Sequence, residues 1–203
     1  MNDNKQFWKI ISPVYNLFMR NNREVYNKVA EYITKHLNPE MKVLELGCGT
    51  GEFTELLASK VNEWVATDFS KEMVDNASKR HNICNVTYRV EDATVLTFDE
   101  NSFDAVMIAN TLHIMPNPAA ALQEIHRVLK SDGLLLAPTF IFDKSSTKLR
   151  VKFLEFIGFK VYYKWSDLEL RKFIEHNRFE IIHQATIRAT PLSESIVIAR
   201  CKE

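Results

Sequence analysis

Apolar residues recur along this chain at two different periods, and the alternation between them outlines its elements. Phe7, Ile10, Ile11, Val14 and Phe18 share one helical face over 5–19, where Ser12-Pro13 must break or kink the helix. Val25, Val29, Ile33 and Leu37 repeat the helical spacing over about 22–37, and Asn38-Pro39 ends that segment. From there short strand-like runs alternate with helical ones. Val43–Leu46 is an apolar run leading into glycines, and Phe53, Leu56 and Leu57 fall at helical spacing directly after them. Trp64–Thr67 reads as a second strand ending at Asp68, and Ser70 can cap a helix whose inner face is Met73, Val74 and Ala77. Val86, Tyr88 and Val90 alternate as a third strand, with Glu91-Asp92 at its end. Phe103–Ala109 is almost wholly apolar, as a strand covered on both faces should be. Asn117-Pro118 then starts a helix with the stripe Leu122, Ile125 and Leu129, and Asp132-Gly133 turns into a fifth strand, Leu134–Thr139.

The rhythm changes after that. A helix is predicted over 145–157, stopped by Gly158, and Ser166 with Glu169 forms a capping box for another that ends near Asn177. Phe179–Ile187 and Ser195–Cys201 are strands joined by a short loop with Pro191, close enough to pair antiparallel. The sum is an α/β fold: a Rossmann-like, seven-stranded, mostly parallel sheet with an antiparallel C-terminal edge and an N-terminal helical cap. One domain spans 1–203, with 1–38 as cap or lid and 39–203 as the α/β core.

The stretch Glu45-Leu46-Gly47-Cys48-Gly49-Thr50-Gly51 places three glycines within five residues between a strand and a helix. Glycine permits positive φ and lets a ligand lie directly on the backbone, and the helix behind it offers unpaired N–H groups. A dinucleotide fingerprint would need its third glycine where Glu52 stands; here it arrives one residue early, at Gly51. Glu45, two places before the first glycine, also opposes a pyrophosphate. Both features suit a ligand carrying a positive group.

Composition narrows the function without naming it. The 203 residues carry 26 basic and 26 acidic side chains, so no electrostatic footprint for nucleic acid is visible. Cys48, Cys84 and Cys201 show no CxxC spacing and fit reduced thiols, which points to a cytoplasmic protein. The N-terminus lacks signal-peptide character, and no apolar run approaches the roughly 20 residues that span a bilayer, leaving peripheral membrane contact open. No metal is expected: the three thiols do not converge in this element order, and Asp143 has no evident carboxylate partner. Oligomeric state is not readable.

In open α/β sheets ligands sit beyond the carboxyl ends of the strands, where the 47–51 loop, Asp68, Asp92 and Asn110-Thr111-Leu112-His113 all gather. This set, with ELGCGTG followed 17 residues after its last glycine by Asp68, resembles the class I S-adenosylmethionine-dependent methyltransferases over about 40–140. FWKIISPVYNLF, ANTLHIM and HRVLKSDGLLL are similar to the small type 11 group, which includes quinone and phospholipid methyltransferases. The resemblance implies S-adenosyl-L-methionine as cofactor and S-adenosyl-L-homocysteine as product. It implies that Gly47, Gly49 and Gly51, with Cys48 in the same loop, pass under the methionine part and ribose, and that Glu45 holds the amino group. Asp68 would take the ribose hydroxyls, with Phe69 and Met73 beside the adenine. Asp92 and the Ala93 N–H would face the adenine edge, and Asn110 would line the methionine end.

Methyl transfer asks chiefly for alignment and exclusion of water, and for a base only if the acceptor must lose a proton. His113 is the histidine placed for that task, and Tyr15 could close over the methionine moiety. A small, apolar acceptor is expected beneath a lid made by 1–21 and 140–165, both rich in aromatics. Two alternatives stay open: a protein of this fold that binds the cofactor without transferring a methyl, and an NAD-dependent oxidoreductase.

Overall fold

The computed structural model describes residues 23–142, 160–189 and 193–202. The helices predicted over 5–19 and 145–157, Tyr15, and most of both lid segments lie outside the described residues. Within them a seven-stranded sheet runs β3-β2-β1-β4-β5-β7-β6. Its strands are β1 (Lys42–Leu46), β2 (Glu63–Asp68), β3 (Val86–Val90), β4 (Phe103–Ile108), β5 (Leu129–Ile141), β6 (Phe179–Ile187) and β7 (Ser193–Cys201). The first five pair in parallel, and β7 inserts antiparallel between β5 and β6. Strand order therefore reverses between β1 and β4, which opens a crevice at their carboxyl ends.

Two apolar layers cover the sheet. One face is packed by α1 (Arg23–Thr34) and α2 (Glu52–Leu57), through Val29, Ile33, Phe53 and Leu57 against Val43, Trp64, Met107, Leu136 and Ile198. The other is packed by α4 (Pro118–Val128) and α5 (Asp167–His176), through Leu122, Ile125, Leu170 and Ile174 against Leu44, Val106, Leu135 and Val197. Successive strand residues alternate between these layers, as the pleat demands. The caps read from sequence are in place. Ser70 accepts from the Met73 N–H at the start of α3 (Lys71–Arg80), Asn117 caps α4 ahead of Pro118, and Ser166 with Glu169 forms a reciprocal capping box on α5.

The start of β5 differs most from the sequence reading. The Asp132-Gly133 turn is an irregularity inside β5: the strand starts at Leu129, paired with Phe103, and resumes with Leu134 opposite Ala105. Four residues of β5 thus face Asp104 alone, a bulge held by Lys130 Nζ on Asp104 Oδ1 at 2.6 Å. Leu129, predicted as the last residue of the helical stripe, is already a strand residue.

Leu122 is fully buried whereas Leu168 is 59% exposed. Leu122→Ala is therefore expected to cost about 2–5 kcal/mol, and Leu168→Ala about 0.5 kcal/mol or less, as measured by urea unfolding.

Candidate functional site

The crevice at the switch point is a cleft bounded by the glycine loop, the end of β2 and the turn after β4. Gly47, Gly49 and Gly51 adopt φ of 71°, 55° and 87°, the left-handed region where a Cβ is penalised. At Gly47 there is a second reason for glycine, because a Cβ would run into the Thr111 side chain. Gly51 does different work. A Cβ there would come within 2.9 Å of His81, so it lets α2 begin close against α3.

Two buried carboxyls enter the cleft. Glu45 is 1% exposed, and its Oε2 accepts from Thr54 Oγ1 at 2.5 Å and from Trp64 Nε1 at 2.7 Å. Both donors meet the same oxygen, so Oε1 keeps its accepting capacity. Burial pushes this carboxyl up to about 7 against the opposing effect of the two hydrogen bonds, and the nearby Glu52 and Asp68 push it further up. Asp68 accepts from the Gly49 N–H through Oδ2 at 3.0 Å and from the Ser70 N–H through Oδ1 at 2.9 Å. Burial raises it to about 6, with those backbone donors pulling the other way. As a carboxylate Asp68 keeps accepting capacity for a ligand hydroxyl. Phe69 and Met73 supply apolar wall on the same side.

A family model described as a methyltransferase domain matches residues 44–137. The ubiquinone/menaquinone biosynthesis C-methyltransferase UbiE of Hydrogenovibrio crunogenus is 34% identical over 139 residues, covering 65% of this chain and 54% of that protein. A demethylmenaquinone methyltransferase of Staphylococcus epidermidis is 30% identical over 164 residues, covering 76% of this chain and 67% of its own. The chain belongs to the class I S-adenosylmethionine-dependent methyltransferases. The matched region spans about half the length of the first of these relatives, 54%. Among solved structures, a chain from the complex between the Haloferax volcanii Trm112 methyltransferase activator and a methyltransferase superposes with a TM-score of 0.79. It is 18% identical, covering 97% of this chain and 98% of the other, and the likeness is one of fold.

The methyltransferase cleft collects most of the residues singled out from sequence. Glu45, Gly47, Cys48, Gly49, Asp68, Phe69, Met73 and Asn110 line it. The cradle has features that fit the family's cofactor: bare backbone at Gly47 and Gly49, a carboxyl with accepting capacity at Asp68, and a second carboxyl suited to an ammonium at Glu45. Cys48 is buried, and its thiol is pushed well up by burial and the two carboxyls, so it packs as a neutral group. Asp92 and Ala93 stand off the cleft lining. Asp92 is exposed and uses Oδ1 to accept from the Thr94 N–H and hydroxyl at 2.9 and 2.7 Å.

His113 also stands off the lining. It is buried in the 3₁₀ turn Leu112–Ile114, with ring centroids 6.0 Å from Phe140 and 6.1 Å from Phe142, and its Nδ1 has no partner among the described residues. Burial drops it to about 4, so at neutral pH it is an uncharged imidazole. Its carbonyl accepts from the Tyr162 and Tyr163 N–H groups at 3.0 and 3.1 Å, which docks the 160–165 segment beside the end of β5. Among the described residues no group of three or more His, Cys, Asp or Glu is placed to hold a metal ion.

Sequence reasoning missed several lining residues: Tyr26, Glu52, Phe53, Ala109 and Ile114. Tyr26 and Phe53 pack as a tilted ring pair, centroids 4.7 Å apart, between α1 and α2, so the helical periodicity that marked core also marked the cleft wall. Glu52 was legible only as a departure from the dinucleotide pattern. In the fold it accepts from Thr50 Oγ1 at 2.7 Å and from Arg80 Nη1 at 2.8 Å.

The Glu45 environment dictates a pH dependence. A cationic ligand favours the carboxylate, so affinity for S-adenosylmethionine should be full above about pH 7 and fall as the pH drops through that value. For the ligand-free chain the sign reverses: the raised value makes a stability contribution that is present below the ordinary value of 4.5 and lost as pH rises through about 7. Thr54→Val removes a donor that favours the carboxylate. It should move the midpoint of the affinity profile to higher pH, read by calorimetry between pH 5.5 and 8.5; an unmoved midpoint refutes the assignment.

Proposed function

We propose that this chain transfers a methyl group from S-adenosylmethionine to a small, apolar acceptor of the quinone-ring kind. The observation that carries the transferase part is the cleft at the β1/β4 switch point, where bare glycine backbone meets the Asp68 and Glu45 carboxyls. When bound there, the cofactor supplies a methyl group activated by a sulfonium. The protein's contribution is positioning. Gly47 and Gly49 admit the ligand against the backbone, Asp68 offers oxygens to the ribose hydroxyls, and Glu45 offers an acceptor to the amino group. Phe69 and Met73 pack the base. Gly51 shapes the start of α2 behind the loop, and Asp92 and Ala93 frame the adenine edge from the turn after β3. Tyr15, outside the described residues, is proposed to close over the methionine end.

The acceptor class rests on the names of the relatives and on the aromatic surroundings of the turn after β4. Phe140 and Phe142 flank His113, and Tyr163, Trp165 and Phe173, whose segment is tied to the His113 carbonyl through the Tyr163 N–H, stack face to face, with Tyr163–Trp165 at 4.9 Å and Trp165–Phe173 at 4.7 Å. Such a wall suits a flat apolar ring and excludes water from a transferring methyl. His113, kept neutral by burial, is assigned to receive or relay an acceptor proton if one must leave. No helix of the described residues is long and apolar enough to cross a membrane. A cytoplasmic enzyme meeting its acceptor at a membrane surface is consistent with that.

Asp68→Ala should weaken S-adenosylmethionine and S-adenosylhomocysteine by at least tenfold while the fold persists, because two charge-assisted hydrogen bonds of about 1.5–3 kcal/mol each are lost. Calorimetry on the two proteins checks this, with NAD as the control ligand that neither should bind. Transfer of radiolabelled methyl to a short-chain demethylmenaquinone tests the acceptor. Tight cofactor binding without transfer to any quinone or phenol would move the reading to another acceptor class.

A further inference from the structure

Glu194 is a fully buried carboxyl on β7 that none of the roles above uses. It lies at the start of that strand, opposite Phe140 of β5 and Ile187 of β6, so it stands at the same end of the sheet as the cleft. Its Oε1 accepts from Asn110 Nδ2 at 3.0 Å, and its Oε2 has no partner among the described residues. Asn110 is held on three sides. Its N–H donates to the Pro138 carbonyl at 2.8 Å, its Oδ1 accepts from the Phe140 N–H at 3.0 Å, and its Nδ2 donates to Glu194. Because a backbone N–H claims Oδ1, the amide can only turn its NH₂ toward β7, where an acceptor is required.

That clamp sustains an unusual backbone. Asn110 has φ 50°, a left-handed conformation that asparagine tolerates but that persists only where its surroundings enforce it. Asn110 and Thr111 both line the cleft, and Thr111 abuts Gly47. We propose that Glu194 is a positioning residue of the cofactor cleft, acting through Asn110 to hold the turn after β4 against the glycine loop. The inference rests on the cofactor reading above. Burial pushes the Glu194 carboxyl up to about 7, so near neutrality it can serve Asn110 through its carbonyl oxygen, much as a glutamine would.

The test uses the full chain at pH 7, S-adenosylhomocysteine as probe, calorimetry for affinity and circular dichroism with thermal unfolding for the fold. Glu194→Val should weaken binding at least fivefold. Glu194→Gln, which keeps the acceptor oxygen, should restore it to within threefold of the parent chain. Asn110→Ala should weaken binding similarly, and the double variant should be no more than twofold weaker than Asn110→Ala alone, because the two residues act as one unit. Binding by Glu194→Val within twofold of the parent, or losses that multiply in the double variant, would overturn the proposal. Should Glu194→Val not fold, the near-isosteric swap decides. Asn110→Asp should weaken binding at least fivefold, and Asn110→Asp with Glu194→Gln should regain most of it by reversing donor and acceptor; no recovery overturns the idea. A parent chain that binds neither S-adenosylhomocysteine nor S-adenosylmethionine would instead defeat the cofactor reading itself, and this inference with it.

Discussion

Gly47 and Thr111 approach so closely that no side chain fits between them, and the cleft depends on that approach. The two residues lie in the turns just beyond β1 and β4, neighbouring parallel strands whose connections leave in opposite directions. Strand pairing brings the ends together, and the missing Cβ lets the two turns touch. With backbone exposed on the β1 side and a left-handed turn on the β4 side, the crevice has a floor that a flat, extended ligand can lie on. A larger residue at position 47 would part the turns and strain its own φ of 71°.

The electrostatics follow from the burial that this geometry imposes. The groups acting on Glu45 are two hydrogen-bond donors and two further carboxylates, which leaves its charge poorly compensated. Buried charge without a partner is costly, and the usual outcome is a raised carboxyl that holds its proton until a cation arrives. Asp68 is raised in the same way, although the backbone N–H groups of Ser70, Gly49 and Phe69 already serve it. A cleft whose carboxyls are raised by burial favours a cationic ligand over a pyrophosphate. This agrees with the third glycine's early arrival at Gly51, whose task in the fold is to pack α2 against α3.

The order of elements was legible because most of it is local chemistry. Ser70, Asn117 and Ser166 announce helix starts through capping groups a few residues away, and apolar period separates strand from helix. The Asp132-Gly133 turn misled because its residues are turn formers. Pairing of Leu129 with Phe103 draws the chain into the sheet before the glycine is reached, so the same residues become a bulge. His113 stands after β4 as read, and the aromatic rings beside it, Phe140 of β5 and Phe142 just past the end of that strand, come from elsewhere in the chain.

What the sequence determined by itself is therefore the order of the described strands and helices, their mostly parallel α/β arrangement, and a glycine loop flanked by the carboxyls of Glu45 and Asp68. These rest on periodicity, capping and backbone freedom, which act over a few residues. Only the tertiary structure decided that Thr54 and Trp64 saturate one oxygen of Glu45 and that Tyr26 reaches the cleft. It alone joined Asn110 to Glu194, 84 residues further along the chain. Those relations depend on which strands become neighbours and how deeply each group is buried, and neither is encoded within a window of adjacent residues.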